Sequence, residues 1–168
     1  MKYNEFFANM SPDLGAKILE YLREEQREAY KQVLAGLASK RKLRPVFVQR
    51  KPRDKQIEWL FSALKLPMSA EIGEQVLSLF LMQGRNPMLG QFMDDLGIEN
   101  EEGTVEDLPD TLNADKTKQA IDNLFEKFPD EEVVVYLHMF KGQAGGAYPE
   151  FDEILDRDPR CNFGSTKG

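Results

Sequence analysis

The sequence predicts an all-α protein, and three observations support this prediction. Several stretches carry apolar residues three or four positions apart, which is the spacing of one face of an α-helix. Prolines stand at the start of several of these stretches, and glycines stand at the end of some. One stretch, 69–84, is apolar on nearly every side, so other helices must surround it. We therefore expect an irregular bundle of six or seven helices.

The stretch 69–84 is predicted to be the central helix of the bundle. Pro67 precedes it, and Ser69 is placed to cap its first turn. Gly84 is expected to end the helix, because glycine readily adopts the left-handed C-cap conformation.

A long N-terminal helix is predicted over 11–40. Ser11 is its expected N-cap and Pro12 its first helical residue. An apolar stripe runs along the helix, but its centre, 23–28, is almost wholly charged. Such a helix packs at its two ends or projects from the body. A dimerising coiled coil is disfavoured, because the stripe does not persist over three or four heptads.

The helix is followed by a basic connector at 41–53. Pro45 and Pro52 each disfavour the helical conformation in the preceding residue. The run 46–48 is β-branched and aromatic, so we expect a short extended segment. Phe47 is predicted to anchor this segment to the core.

Two helical units are predicted after the connector, with acidic residues between them. The predicted bounds are 54–97 for the first unit, 98–112 for an acidic loop, 113–157 for the second unit and 158–168 for a frayed tail.

The segment 133–140 is ambiguous when taken alone. Its three consecutive valines favour a strand, whereas the acidic start at Asp130 and the stop at Gly142 favour a helix. A weak internal repeat supports the helix, because 57–85 and 121–143 both show a helix, a proline break, an apolar helix and a glycine. Two stacked helical hairpins, as in a small solenoid, or two similar hairpins in a plain bundle would produce this repeat.

The length and composition are typical of one ordinary domain, which we place at 1–160. The single cysteine, Cys161, excludes an internal disulfide and a multi-cysteine metal site. The first ten residues lack the apolar core of a signal peptide, and no run approaches the roughly 18 apolar residues that cross a bilayer. We therefore expect a cytoplasmic protein that makes no membrane contact.

The net charge of −7 is distributed unevenly along the chain. Residues 1–84 carry 14 basic and 10 acidic side chains, whereas 85–168 carry 8 basic and 19 acidic ones. The segment 94–115 contains nine acidic residues and no basic one. Opposite patches of this kind could face each other within the fold, join two copies head to tail, or bind two different partners.

The basic connector is the strongest functional candidate. Clustered cations around an aromatic residue can bind a phosphate backbone or an anionic protein. The candidate residues for an anionic partner are Lys40, Arg41, Lys42, Arg44, Arg50, Lys51, Arg53 and Phe47. We predict a non-enzymatic scaffold or adaptor that binds another protein and could also form a homo-oligomer. Nucleic-acid binding through 40–53 is the alternative, which the sequence isoelectric point of about 4.9 disfavours.

The sequence shows no arrangement typical of catalysis, so no catalytic, cofactor-binding or metal-binding residue is predicted. His138 is the only histidine, which excludes a multi-histidine metal centre in one chain, and it is expected to be packed and hydrogen-bonded. Cys161 is too distant in sequence to suggest a Cys–His pair, and no phosphate-binding glycine motif is present. A third possibility is an enzyme that uses carboxylates such as Asp94 and Asp95, which would require both in one pocket.

Overall fold

The structure is a computed structural model, and it describes residues 1–163. This part of the chain contains ten α-helices and no strand, which confirms the all-α prediction. In chain order the helices are α1 (Tyr3–Asn9), α2 (Pro12–Glu25), α3 (Arg27–Lys40), α4 (Pro45–Gln49), α5 (Arg53–Leu64), α6 (Ala70–Leu79), α7 (Asn86–Asp95), α8 (Ala114–Lys127), α9 (Asp130–Ala144) and α10 (Pro149–Arg157). None of them is both long and apolar enough to cross a bilayer.

The chain divides into two compact units, Met1–Phe80 and Leu81–Gly168. This division falls inside 54–97, which the sequence assigned to a single unit. The difference arises because α7 packs against α8 and so belongs to the second unit. The prediction of one domain over 1–160 stays a prediction.

The first unit is built around the close approach of α2 and α5. A Cβ atom at Gly15 would lie 2.3 Å from Cε2 of Phe61, so only glycine allows this spacing without a shift of the ring. Helix α6 contacts α1, α2, α3 and α5. The largest fully buried side chains of the first unit are apolar. They include Phe7, Ile18, Leu19, Leu22, Leu37, Leu60, Leu64 and Leu77.

The prediction of one helix over 11–40 was wrong, because the chain breaks at Gln26. This residue has φ −133° and ψ 56°, outside the helical region, and α2 and α3 pack against each other across the break. Leu22 and Tyr30, which lie on either side of the break, are both buried in the core of the unit. The N-terminal signals were correct, since the Leu14 amide donates to Oγ of Ser11 at 3.1 Å.

The prediction of one α-helix over 69–84 also needs correction. A 3₁₀ turn (Pro67–Ser69) precedes α6, and a π-helical turn (Phe80–Gly84) follows it. Ser69 precedes α6, but its side chain makes no capping bond. Gly84 is not left-handed, because the Arg85 amide already donates to the Leu81 carbonyl and the chain continues into α7. Met82 is 48% exposed, so the stretch is not enclosed on every side.

The second unit has an aromatic core centred on Phe92 of α7. Helix α9 confirms the helical prediction for 133–140, but it passes through Gly142 and ends at Ala144. Gly145 forms its left-handed cap with φ 59°, so the predicted stop was three residues early. The Asn113 side chain caps α8 by accepting from the Lys116 amide at 3.0 Å.

The predicted frayed tail, 158–168, is ordered in its first part. Pro159–Cys161 form a 3₁₀ turn, and Cys161 is only 1% exposed. The turn is fixed because Oδ1 of Asp158 accepts from the Arg160 amide at 2.9 Å. Residues 164–168 lie outside the described residues.

Candidate functional site

The apolar run of the basic connector forms a short helix instead of the expected extended segment. Pro45 is the first residue of α4, and Arg44 before it is extended, with φ −74° and ψ 135°. Side chains on a helix point about 100° apart from one residue to the next, so the whole run cannot face the core. Val48 is fully buried, whereas Phe47 is 59% exposed. The prediction that Phe47 anchors the connector was therefore wrong, and Val48 is the anchor.

Three apolar side chains of the connector are exposed next to its cations. Leu43 is 40%, Val46 is 36% and Phe47 is 59% exposed. We call these three, together with the exposed cations around them, the connector surface. Its cations are Lys40, Arg41, Lys42, Arg44, Arg50 and Lys51. None of these six forms an ion pair with any residue that the structure describes.

Arg53, the seventh predicted cation, is placed differently from the other six. Its Nε donates to Oε1 of Glu20 at 3.2 Å, and its second guanidinium nitrogen donates to Oε1 of Glu24 at 2.8 Å. The hydrogen bonds to Glu20 raise the pKa of Arg53 above its usual value. Arg53 therefore ties the start of α5 to α2, and we leave it out of the connector surface.

Lys42 holds an unusual backbone conformation at the edge of this surface. Its φ is 57°, a left-handed conformation that is unfavourable for residues with a Cβ atom. The Leu43 amide donates to the Ala38 carbonyl at 2.8 Å, and the Lys42 amide donates to the Ser39 carbonyl at 3.0 Å. These two bonds form the Schellman motif that ends α3, in a position where glycine is the usual residue.

The variant Lys42→Gly is expected to be more stable than the parent chain by about 0.5–1 kcal/mol, because it relieves the left-handed strain. Urea unfolding followed by circular dichroism measures this difference. Lys42→Ala is the matched control, since it removes the charge and keeps the Cβ atom. An equal gain in both variants would assign the effect to charge and contradict the strain.

Gln56 of α5 fixes α4 through hydrogen bonds to the last two carbonyl groups of that helix. Its Nε2 lies 3.1 Å from the Val48 carbonyl and 3.4 Å from the Gln49 carbonyl, and its Oε1 accepts a hydrogen bond from the Tyr30 hydroxyl. Burial raises the pKa of Tyr30 to about 12, so the phenol stays protonated and donates. Gln56 thus satisfies the last carbonyls of α4 and joins α3, α4 and α5.

The variant Gln56→Leu is expected to lose about 1–3 kcal/mol of stability, because it leaves the buried Tyr30 hydroxyl without its partner and removes one of the two donors to the Val48 carbonyl, the other being the Lys51 amide. Tyr30→Phe removes only one of these bonds and should have a smaller effect. Urea unfolding gives both values, and hydrogen exchange at 48–50 reports the loosening of α4. Exchange rates unchanged in Gln56→Leu would show that Gln56 does not hold α4.

A groove of about 610 Å³ adjoins the connector at Gln49 and Arg53. Arg23, Arg27 and Lys31 line it as well, so it extends the cationic character of this side of the first unit. Sequence reasoning missed these three residues. Their charges alternate with glutamates along 20–31, and the spacing of four residues that places them on one face was the available signal.

No protein-family model matches this chain, and no curated protein or solved structure is significantly similar to it. A proposal about function must therefore come from the residues of this chain.

The other candidate chemical groups are held in structural contacts. The ring Nε2 of His138 donates to the Cys161 carbonyl at 2.7 Å, which matches the packed histidine that the sequence predicted. Burial lowers the pKa of His138 and raises that of the Cys161 thiol to about 12, so the thiol stays protonated. The histidine therefore contacts the main chain of Cys161 in this bond, not its sulfur.

The carboxylates of Asp94 and Asp95 are each held by different amides. Asp94 accepts from Asn100 at 2.8 Å, whereas Asp95 accepts from Gln91 at 2.8 Å and from Asn123 at 3.1 Å. Among the described residues, no group of three or more histidine, cysteine or acidic side chains is arranged to hold a metal ion.

Proposed function

We propose that this chain is a non-enzymatic interaction protein, and that its connector surface binds an acidic protein segment containing an apolar side chain. One observation carries the proposal: six exposed cations, which form no ion pair with the described residues 1–163, flank the exposed side chains of Leu43, Val46 and Phe47 along the chain. Protein interfaces place apolar and aromatic anchors inside a polar rim. A cationic rim selects an acidic partner and accelerates its association.

The connector surface is also held in a defined shape, which a solvated linker would not need. Val48 is buried, Gln56 binds the last carbonyls of α4, and Lys42 keeps a strained conformation. A surface that is already ordered loses less conformational entropy when a partner binds. Phe47 is then available as a rigid anchor on a fixed helix.

The test is a fluorescence-anisotropy titration with a labelled probe peptide in which glutamates and aspartates surround one leucine. We expect binding that weakens as salt rises, because the cations contribute through screened charges. Phe47→Ala and the double variant Arg44→Ala/Arg50→Ala should each weaken binding about tenfold or more, which corresponds to about 1.4 kcal/mol.

Two variants serve as matched controls. Met68→Ala removes another apolar side chain of the first unit that is 50% exposed. Lys55→Ala removes an exposed cation that pairs with Glu58 outside the connector. Both should bind the probe as the parent chain does. Equal losses in the controls and in the connector variants would contradict a defined site.

Nucleic-acid binding is the second candidate, and the exposure of Phe47 among cations favours it. An exposed ring can stack on a base while the cations contact phosphates. Random-sequence single-stranded RNA and DNA are titrated in parallel with the probe peptide. Binding of nucleic acid alone, with a smaller salt slope in Arg44→Ala/Arg50→Ala, would replace the proposal with this alternative. No binding of either ligand at low salt would overturn both.

A further inference from the structure

The acidic segment of the second unit carries the features that the connector surface is proposed to select. Its carboxylates are exposed, and they form no ion pair with the described residues. They are Glu99, Glu101, Glu102, Glu106, Asp107 and Asp110. Leu108 lies among them and is 45% exposed. We propose that the acidic partner of the connector surface is this segment, 99–110, of a second copy of the chain, an inference that rests on the proposed function.

The main chain of the acidic segment is held by hydrogen bonds within the segment and by one from Tyr148. The Tyr148 hydroxyl donates to the Pro109 carbonyl at 2.5 Å, immediately after Leu108. The Asn100 side chain accepts from the Gly103 amide at 3.0 Å, and Glu101 and Thr104 exchange two main-chain bonds of 2.9 Å. Leu108 therefore lies next to a main-chain carbonyl that is held by a hydrogen bond.

A cleft of about 330 Å³ in this segment suits a cationic side chain. Glu99, Glu101, Glu106 and Asp107 line it together with Asn100 and Thr104, and no basic residue lines it. Arginine binds a carboxylate through two parallel hydrogen bonds, so an arginine of the connector surface can bind one of these carboxylates in this way while its charge attracts the others. The exposed Leu108 can then pack against Phe47 of the other copy.

The net charge of −7 does not prevent this association. At physiological salt the screening length is about 8 Å, so only charges near the contact contribute strongly. There the connector surface supplies only positive charges and the acidic segment only negative ones. The attraction at the contact therefore outweighs the repulsion between distant charges, and it weakens when salt is added.

The contact would be heterologous, because it joins two different surfaces. In an open chain of copies, each end still carries one unused connector surface or one unused acidic segment. Such a contact builds open chains or closed rings, of which a ring of two copies is the smallest. The average mass should therefore rise above that of the monomer with increasing protein concentration.

Sedimentation velocity and light scattering of the intact protein test the inference with two charge-reversal variants. Arg44→Glu/Arg50→Glu disables the connector surface, and Glu106→Lys/Asp107→Lys disables the acidic segment. We expect the parent chain to self-associate at low salt and to dissociate at high salt, and each variant alone to be monomeric. An equimolar mixture of the variants should form a dimer of one copy of each, because one intact surface of each kind remains.

Glu71→Lys/Glu74→Lys in α6 is the matched control, since both residues are exposed and their reversal should leave association unchanged. A parent chain that stays monomeric at all concentrations would overturn the inference, as would a variant mixture that stays monomeric. The proposed function is judged separately with the acidic probe peptide. If the probe binds while the parent chain stays monomeric, only the inference fails; if the probe does not bind, the proposed function fails as well.

Discussion

Replacing Arg85 with alanine is expected to destabilise the second unit by about 3–5 kcal/mol. The carboxylate of Glu132 is 2% exposed, and Nε of Arg85 donates a hydrogen bond to its Oε1. Arg85 also donates to the Gly84 carbonyl at 2.7 Å. Without the guanidinium, the buried carboxylate loses this charged partner, and removing one member of a buried ion pair is among the most destabilising changes that one substitution can cause.

The double variant Arg85→Ala/Glu132→Leu distinguishes a buried charge from a simple loss of packing. It removes both charges, so we expect it to be clearly more stable than Arg85→Ala alone. Arg157→Ala is the surface control, because the Arg157–Glu153 pair is 79% and 56% exposed and should contribute less than about 1 kcal/mol. Urea unfolding gives all three values. A loss below 1 kcal/mol in Arg85→Ala would show that the pair contributes no more than a surface pair.

The starts of α2 and α8 were predictable because their signals are local. Ser11 and Asn113 cap their helices through bonds to residues three positions ahead, and such bonds depend only on the neighbouring sequence. Pro45 is the same kind of signal, since it is the first residue of α4. The valines beside it suggested an extended segment. Strand preference in such a short run is weak when no partner strand is present.

The helix break at Gln26 and the left-handed backbone of Lys42, which is not a glycine, were not predictable. Neither Gln26 nor Lys42 belongs to a residue type that breaks a helix strongly, yet the chain leaves the helical region at both. Gln26 lies between the buried residues Leu22 and Tyr30, and Lys42 follows the buried residues Leu37 and Ala38 of α3. The backbone conformation at such positions depends on packing between residues that are distant in sequence. The periodicity of apolar residues along the chain does not reveal this packing.

The site could be predicted in composition but not in geometry. Six of the seven predicted cations are exposed and unpaired within the described chain, as expected for charged residues between helices. The separate place of Arg53 depends on Glu20, which is 33 residues away in sequence. Phe47 points outward because α4 packs against α5 with its neighbour Val48 buried. Both follow from tertiary contacts.

Replacing Phe92 with alanine is expected to lower the stability of the second unit by about 3–5 kcal/mol. Phe92 is fully buried, and its ring centroid lies 5.6 Å from those of Tyr136 and Phe140 and 6.4 Å from that of Phe151. These rings come from α9 and α10, so one side chain of α7 joins three helices. Its removal loses the transfer free energy of the ring and leaves a cavity among rigid aromatic groups that can collapse only partly.

The same substitution at Phe47 is the matched control, because that ring is 59% exposed and should change stability by less than about 0.5 kcal/mol. Phe92→Leu keeps part of the volume and should fall between the two. Urea unfolding followed by circular dichroism measures the series, and near-ultraviolet circular dichroism reports the loss of fixed aromatic packing. Equal effects at Phe92 and Phe47 would contradict a core centred on Phe92. A large loss at Phe92 alone would establish that the aromatic cluster, and not helix propensity, holds α7 against α9 and α10.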